Sequence, residues 1–366
     1  MTRIIISGGG TGGHIFPAIA IANALKANEP GAEILFIGAK GRMEMEKVPA
    51  AGYDIRGLWI SGLQRRLTLK NLSFPVKVIS SLVMADRILA KFRPDAVIGV
   101  GGYASGPTLR MAVIRRIPTL IQEQNSYPGI TNKLLGGKVD RICVAYEGMD
   151  RFFPSRKIIL TGNPVRQDII TTTDKTEALR HFNLDAKKKV VLIIGGSLGA
   201  GTINKSVLTY LNRETGEENM QLLWQTGKTH FNFIKNDQNT LNRDNVHIYP
   251  FIDRMDLAYT AADIIVSRAG AIAISELCIV GKPVILIPSP NVAEDHQTKN
   301  ADALAHKSAA LTLKDGEAVE KLFGLINELA GDTGLQQELS KNIKKMALPS
   351  AAGDIAEEIM KIIRKK

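Results

Sequence analysis

Residues 3–20 read RIIISGGGTGGHIFPAIA, an apolar β-branched run that breaks into glycines and resumes as a helix-period segment opened by Pro17. A short strand without polar alternation is one buried on both faces, and a glycine turn leading from it into a helix opens a parallel βα unit. The same alternation recurs outward from this stretch. EILFIG (33–38), DAVIGVGG (95–102), PTLIQE (118–123), RICVAY (141–146) and KIILTG (157–162) complete six strands, enough for one doubly wound domain.

After TGNPVRQDI comes a polar stretch, 171–189, and then a second series opens with KKVVLIIGGS (188–197). It continues through MQLLWQTG (220–227), NVHIYPF (245–251), DIIVSRAG (263–270), KPVILIPSP (282–290) and AALTLK (309–314). The domain boundary therefore falls near residues 161–175. The C-terminal IAEEIMKIIRKK is amphipathic and predicts a helix within 346–366; the pattern leaves open whether it packs on its own domain or crosses to the first.

The chain's 366 residues exceed what one core supports, and 45% hydrophobic with 23% charged residues is ordinary globular composition. Two cysteines, Cys143 and Cys278, sit in apolar stretches without CxxC spacing, which argues against a disulfide framework or a zinc site. The N-terminal MTRIIIS reads as a strand rather than a cleavable leader, and no run of about 18 apolar residues is present to cross a bilayer. The net charge of +11 divides unevenly. Residues 1–163 hold 22 Lys and Arg against 11 Asp and Glu, while 164–366 hold 25 against 25. An anionic partner or surface is therefore expected on the first domain.

Gly8, Gly10 and Gly13 satisfy GxGxxG, yet the second strand ends in Gly38, Ala39 and Lys40 where a dinucleotide enzyme carries a ribose-binding acid. That leaves a turn rich in backbone N–H groups beside one ionisable side chain, His14, a candidate general base. The second turn, 195–201, offers amides, a helix N-terminus and the Ser197 hydroxyl to a diphosphate. Glu276, on the helix after Gly270, is placed to accept two ribose hydroxyls. Asp295, His296, Gln297 and Asn300 form a polar cluster suited to a sugar, or to a helix cap.

GGGTGGHIFPAIA, GVGGYASGP, QEQNSYPGITNK, TGNPVR, IGGSLGA, WQTGK, FIDRMDLAYTAADIIVSRAGAIAISEL and EDHQTKNA, in this order, closely resemble the MurG family. The match runs from residue 4 to about 305. The resemblance implies an α/β GT-B fold, two Rossmann-like doubly wound domains facing across a cleft. It implies an acceptor and membrane-contacting domain at 1–163 and a UDP-sugar domain at 164–345. The implied reaction transfers N-acetylglucosamine from UDP-N-acetylglucosamine to undecaprenyl-diphosphate-linked muramoyl-pentapeptide, with inversion at the anomeric carbon.

Carried onto this sequence, Thr11, Gly12 and Gly13 would line the donor sugar and acceptor, and Asn125 would reach the sugar. Arg166 and Ser197 would face the diphosphate, and Ile252 would meet uracil through its backbone. Ala271, Ile272, Ala273, Ile274, Ser275 and Glu276 would line the nucleotide-sugar, with Glu276 on the ribose and Gln297 on donor hydroxyls. His14 would be the base, with Glu123 in reserve. Where the family motif has two adjacent glutamines this chain has His296 and Gln297, so His296 is left without a role. No DxD-type pair follows a strand in these motifs, so neither a protein-bound metal nor a cofactor is expected.

The resemblance also implies a peripheral enzyme on the cytoplasmic face of the bacterial plasma membrane, meeting an anionic leaflet and no nucleic acid. Arg65, Arg66, Lys70, Lys77, Arg87, Arg115 and Arg116 surround a segment in which Leu69, Leu72, Phe74, Val78, Ile79 and Leu82 are candidates for an apolar patch. Two alternatives stand beside this reading. One is a GT-B transferase using another lipid such as diacylglycerol; the other is a basic nucleic-acid-binding protein, against which the 5% aromatic content and the one-sided charge both weigh.

Overall fold

The protein is described by a computed structural model covering residues 1–61, 74–170, 174–196, 198–213, 219–237 and 243–365. The chain forms two compact units. Met1–Val165 and Leu348–Lys366 make the first, and Arg166–Ala347 the second.

Among the described residues the first unit holds seven parallel strands: β1 (Arg3–Ser7), β2 (Glu33–Ala39), β3 (Asp54–Leu58), β4 (Ala96–Gly99), β5 (Thr119–Glu123), β6 (Arg141–Val144) and β7 (Ile158–Leu160). Their order is β3-β2-β1-β4-β5-β6-β7. The described residues of the second unit hold six, β8 (Lys189–Ile194), β9 (Met220–Gln225), β10 (Val246–Tyr249), β11 (Ile264–Ser267), β12 (Val284–Leu286) and β13 (Leu311–Thr312), in the order β10-β9-β8-β11-β12-β13. In each sheet the strand order reverses beside the first strand, and ligands of open α/β sheets bind at that switch point. The register Ser7↔Gly99 carries the turn after β1 to the turn after β4. Ile194↔Ser267 does the same for the turns after β8 and β11.

The continuous apolar run at β1 follows from burial on both sides. Ile4 and Ile6 pack with Ile15, Ile21 and Leu25 of the Gly12–Asn28 helix, while Ile5 faces Ala85, Leu89 and Leu109 on the opposite side. In the second unit Val191, Ile193 and Trp224 meet Ile203, Val207, Leu322 and Ile326 of the Gly201–Arg213 and Ala318–Gly331 helices.

Two features depart from the sequence reading, and a third settles a packing that the sequence left open. A seventh strand, β3, joins the edge of the first sheet; its sequence DIRGL alternates between exposed and partly buried positions, so it lacks the apolar run that marks the interior strands. The first helix begins at Gly12, and Pro17 lies inside it. A proline there forgoes only the bond to the Gly13 carbonyl near the helix start, where such a loss is best tolerated. The C-terminal helix, Ala351–Arg364, packs against Gly12–Asn28, with Ile355, Ala356, Ile359 and Ile362 completing the first unit's core. Its return concentrates the charge: the first unit carries 26 Lys and Arg against 14 Asp and Glu, the second 21 against 22.

Candidate functional site

In the first unit the β1 turn delivers Thr11, Gly12, Gly13 and His14 to the head of the Gly12–Asn28 helix, with Thr11 at its N-cap. His14 Nδ1 lies 3.2 Å from both the Gly9 carbonyl oxygen and Thr11 Oγ1. A carbonyl only accepts, so a hydrogen bond to Gly9 requires the ring proton on Nδ1 and leaves Nε2 as the basic nitrogen, whereas the Thr11 hydroxyl can serve either tautomer. The ring edge rests on the backbone after β4; a Cβ on Gly101 would come within 2.8 Å of Nε2. GVGGY thus has glycine where the imidazole needs the space.

The same turn holds a residue that the sequence reading missed. Glu44, 1% exposed, accepts from the Gly10 amide through Oε2 at 2.9 Å and from the Ala39 amide through Oε1 at 3.0 Å. The first glycine turn therefore does not present all its amides to a ligand, because a carboxylate from the Glu44–Ala50 helix is seated in it. Glu44 lies five residues beyond the end of β2, past the place where a dinucleotide enzyme carries its ribose-binding acid.

Glu123 ends β5 and is 1% exposed. Its Oε1 accepts from the Asn125 amide at 3.0 Å and Asn125 Nδ2 at 3.3 Å, and its Oε2 from the Gly129 amide at 3.1 Å and Asn132 Nδ2 at 2.8 Å. Burial pushes its carboxyl above the ordinary range, against the pull of these donors. The geometry makes it the clamp of the loop that carries Asn125. Around it, Gln122 Nε2 donates to Asn163 Oδ1 at 2.8 Å, Asn163 Nδ2 to the Gln124 carbonyl at 3.0 Å, and Gln124 Nε2 to the Val100 carbonyl at 2.8 Å. QEQN and the asparagine of TGN are one buried polar network. We expect Glu123→Gln to cost about 1–3 kcal/mol in denaturant unfolding, since one donor must then face another. A base at this position would instead lose turnover at unchanged stability.

In the second unit the turn after β8 locks against the end of β9. Gly199 and Gly227 have φ of +82°, and a Cβ on either would lie well under 3.0 Å from the other segment's backbone. Gln225 spans the same place, its Nε2 donating to the Gly196 carbonyl at 3.1 Å and its Oε1 accepting from the Ile252 amide at 2.9 Å. The Ile252 amide is thus already engaged, so a base meeting Ile252 would be read by its carbonyl. The next helix, Gly201–Arg213, carries no acidic residue in its own first turn, where the Thr202 hydroxyl donates to Asp315 at 2.8 Å. Ser197 lies outside the described residues.

Arg166 and Glu276, 110 positions apart, are brought together: Arg166 Nε donates to Glu276 Oε1 at 3.2 Å, and the Tyr259 hydroxyl to Oε2 at 3.1 Å. Tyr259 is buried, and burial beside this carboxylate holds its hydroxyl well above the ordinary tyrosine range, hence as a neutral donor. On the Ala271–Val280 helix, Ala271, Ile272, Ala273 and Ser275 are partly exposed, Ser275 Oγ donating back to the Ala271 carbonyl. Ile274 is instead turned into the interior, as helical phase requires of one residue in that stretch.

The chain reaches the His296–Ala305 helix through Glu294 and Asp295, both left-handed at φ 53° and 55°, a conformation costing about 1–3 kcal/mol per residue. Beyond this bend Gln297 Oε1 accepts from the Ser289 amide at 2.8 Å, so its NH₂ is the end available to a ligand oxygen. Asp295 takes the Thr298 hydroxyl at 2.6 Å, and Asn300 is buried, its Nδ2 donating to the Ala269 carbonyl at 3.5 Å. Of the polar cluster read from the sequence, these two are occupied within the fold.

Two doubly wound units in one chain, each with a glycine turn at its switch point, define the GT-B class of sugar-nucleotide glycosyltransferases. Residues 4–144 match the Glycosyltransferase family 28 N-terminal domain, and 190–355 the Glycosyltransferase family 28 C-terminal domain. The chain is 56% identical over 362 residues to the UDP-N-acetylglucosamine–N-acetylmuramyl-(pentapeptide) pyrophosphoryl-undecaprenol N-acetylglucosamine transferase of Flavobacterium psychrophilum, covering 99% of this chain and 98% of that one. It is 53% identical to the protein of the same name from Christiangramia forsetii, over 100% and 98%. The crystal structure of MurG from Acinetobacter baumannii superimposes with a TM-score of 0.80 at 26% identity, covering 99% of this chain and 100% of that one. The chain belongs to the MurG family of glycosyltransferases.

Proposed function

We propose that this protein is an inverting transferase that moves N-acetylglucosamine from UDP to the muramoyl-pentapeptide diphosphoryl-undecaprenol acceptor in peptidoglycan synthesis; its relatives are named as N-acetylglucosamine transferases of UDP-N-acetylglucosamine and N-acetylmuramyl-(pentapeptide) pyrophosphoryl-undecaprenol. The second unit takes the donor. Its glycine turn receives the diphosphate, Glu276 the ribose, the Ile252 carbonyl the uracil and Gln297 the sugar. Arg166, which donates to Glu276 Oε1 at 3.2 Å, brings its guanidinium to the diphosphate. The first unit acts on the acceptor.

The acceptor hydroxyl oxygen bonds to the anomeric carbon as the carbon–oxygen bond to the diphosphate breaks, its electron pair leaving with UDP. The hydroxyl proton passes to His14 Nε2, and the resulting imidazolium is stabilised at Nδ1–H by the Gly9 carbonyl. The observation that carries the base assignment is the Nδ1 contact with that carbonyl. Glu123, clamped by four donors, supports the loop. Purified protein should turn over UDP-N-acetylglucosamine with the lipid-linked muramoyl-pentapeptide and not with diacylglycerol; the reverse preference would overturn the acceptor assignment.

The basic first unit meets an anionic leaflet. Among the described residues no helix is long and apolar enough to cross a membrane. On the Phe74–Phe92 helix the exposed large apolar side chains are Val76, Ile79, Val83 and Met84, at 58%, 63%, 46% and 39%, with Arg87 continuing the stripe of the first three. This corrects the patch read from the sequence: Phe74, Val78 and Leu82 are partly buried because helical phase turns them toward the fold. Arg65, Arg66, Leu69, Lys70 and Leu72 lie outside the described residues. Lys77 sits 5.7 Å from the Trp59 ring, and Arg115 is held by Asp86 in a bidentate pair that offsets its charge. Replacing Val76, Ile79 and Val83 with serine is expected to weaken binding to anionic vesicles at least about tenfold, given about 1.5–3 kcal/mol for each fully buried side chain. Equal binding by the variant would remove the stripe from the membrane.

A further inference from the structure

We infer that Glu44 is a positioning residue for His14, acting through the single peptide plane that joins Gly9 to Gly10. The inference rests on His14 being the base. The Gly10 N–H and the Gly9 C=O belong to the same planar trans unit and point in opposite directions. Glu44 Oε2 accepts from the N–H at 2.9 Å, and His14 Nδ1 lies 3.2 Å from the carbonyl oxygen at the other end. Fixing one end of the plane fixes the other, so the carboxylate decides where the carbonyl points.

The arrangement around this peptide restricts the alternatives. Gly9 and Gly10 both have positive φ, at 147° and 89°, so no side chain resists a rotation of the plane. The Gly102 backbone lies against the carbonyl end, and the amide end is held by Glu44. Glu44 lies directly against Gly9 and Gly38, and its second oxygen is anchored on the Ala39 amide at 3.0 Å. The carboxylate is 1% exposed, so water does not screen it from the peptide dipole. A negative charge on the N–H end strengthens the carbonyl as an acceptor. A stronger acceptor favours the Nδ1–H tautomer and stabilises the imidazolium formed when Nε2 takes a proton. The logic is that of a carboxylate orienting a catalytic histidine, with a backbone amide interposed.

Among the described contacts, the ring meets Thr11 from its own helix, Gly9 from the β1 turn and Gly101 from the β4 turn. This explains why an acid stands in a turn that the sequence presents as an anion seat: the turn serves the histidine.

The test is the nitrogen NMR signature of His14 in protein carrying ¹⁵N-histidine, recorded at about pH 8 where a neutral imidazole is observed. Wild-type protein should show a protonated Nδ1 and an unprotonated Nε2. In Glu44→Gln one amide must face a donor, and the signature should move toward the Nε2–H form. Turnover should fall roughly 10- to 100-fold, with KM for UDP-N-acetylglucosamine little changed. Glu44→Asp keeps the carboxylate and should recover the Nδ1–H signature. A role limited to anchoring the Glu44–Ala50 helix would leave the tautomer unmoved. An Nε2–H form in the wild type, or an Nδ1–H form retained in Glu44→Gln, overturns the inference. Failure of the base reading shows separately, as turnover that survives His14→Ala.

Discussion

His14→Ala lowers kcat by about 10²- to 10⁴-fold, the range that a positioned general base contributes, while UDP affinity stays near that of the wild type. The split follows from placement. Every group assigned to UDP belongs to the second unit, whereas His14 stands at the head of the first helix of the first unit. A binding role for the imidazole would raise KM or the Kd for UDP along with the loss of rate. The measurement is steady-state kinetics beside calorimetric titration of UDP, and unchanged turnover would reject the assignment.

Gly227→Ala produces the largest structural effect, about 3–5 kcal/mol of destabilisation with loss of UDP affinity. The contrast with Gly196 isolates the cause. Gly196 has a similar φ of +89° but open space where a Cβ would go, so alanine there meets only the left-handed penalty, about 1 kcal/mol. At Gly227 the added carbon would run into the Gly199 backbone, and one of two main chains has to move. The movement displaces the turn proposed to receive the diphosphate. Thermal unfolding and UDP titration of the two variants read both consequences, and equal behaviour of the pair would show that the crossing carries no energy.

Much of the fold was open to reading because parallel strands buried on both faces announce themselves as continuous apolar runs. Arg3–Ser7, Lys189–Ile194 and Ile264–Ser267 are of this kind, and the turn after each of them carries a motif. The edge strand Asp54–Leu58 was not readable on that criterion, since an edge is half solvated and its residues need not be apolar. The C-terminal helix was legible as amphipathic, but an apolar face does not name its partner; only packing placed Ile355 and Ile359 against Ile15 and Ile21.

The candidate site divides in the same way. The residue types that chemistry demands stood in the sequence: a histidine after a glycine turn, a carboxylate after the Gly270 turn, and a glutamine at a helix start. These are local signals, set by the few residues next to a strand end. The tertiary structure decided what each of them touches. Burial and four donors made Glu123 a clamp, a distant arginine and tyrosine took both oxygens of Glu276, and helical phase turned Ile274 inward.

By itself, then, the sequence determined two parallel-sheet domains, the positions of their ligand turns and the family, because periodicity and motifs are properties of neighbours in the chain. Only the tertiary structure decided that Glu44 occupies the first of those turns, its carboxylate on the Gly10 amide. The reason is that a hydrogen bond between residues 34 positions apart depends on where helices bring side chains in space, which no local pattern records.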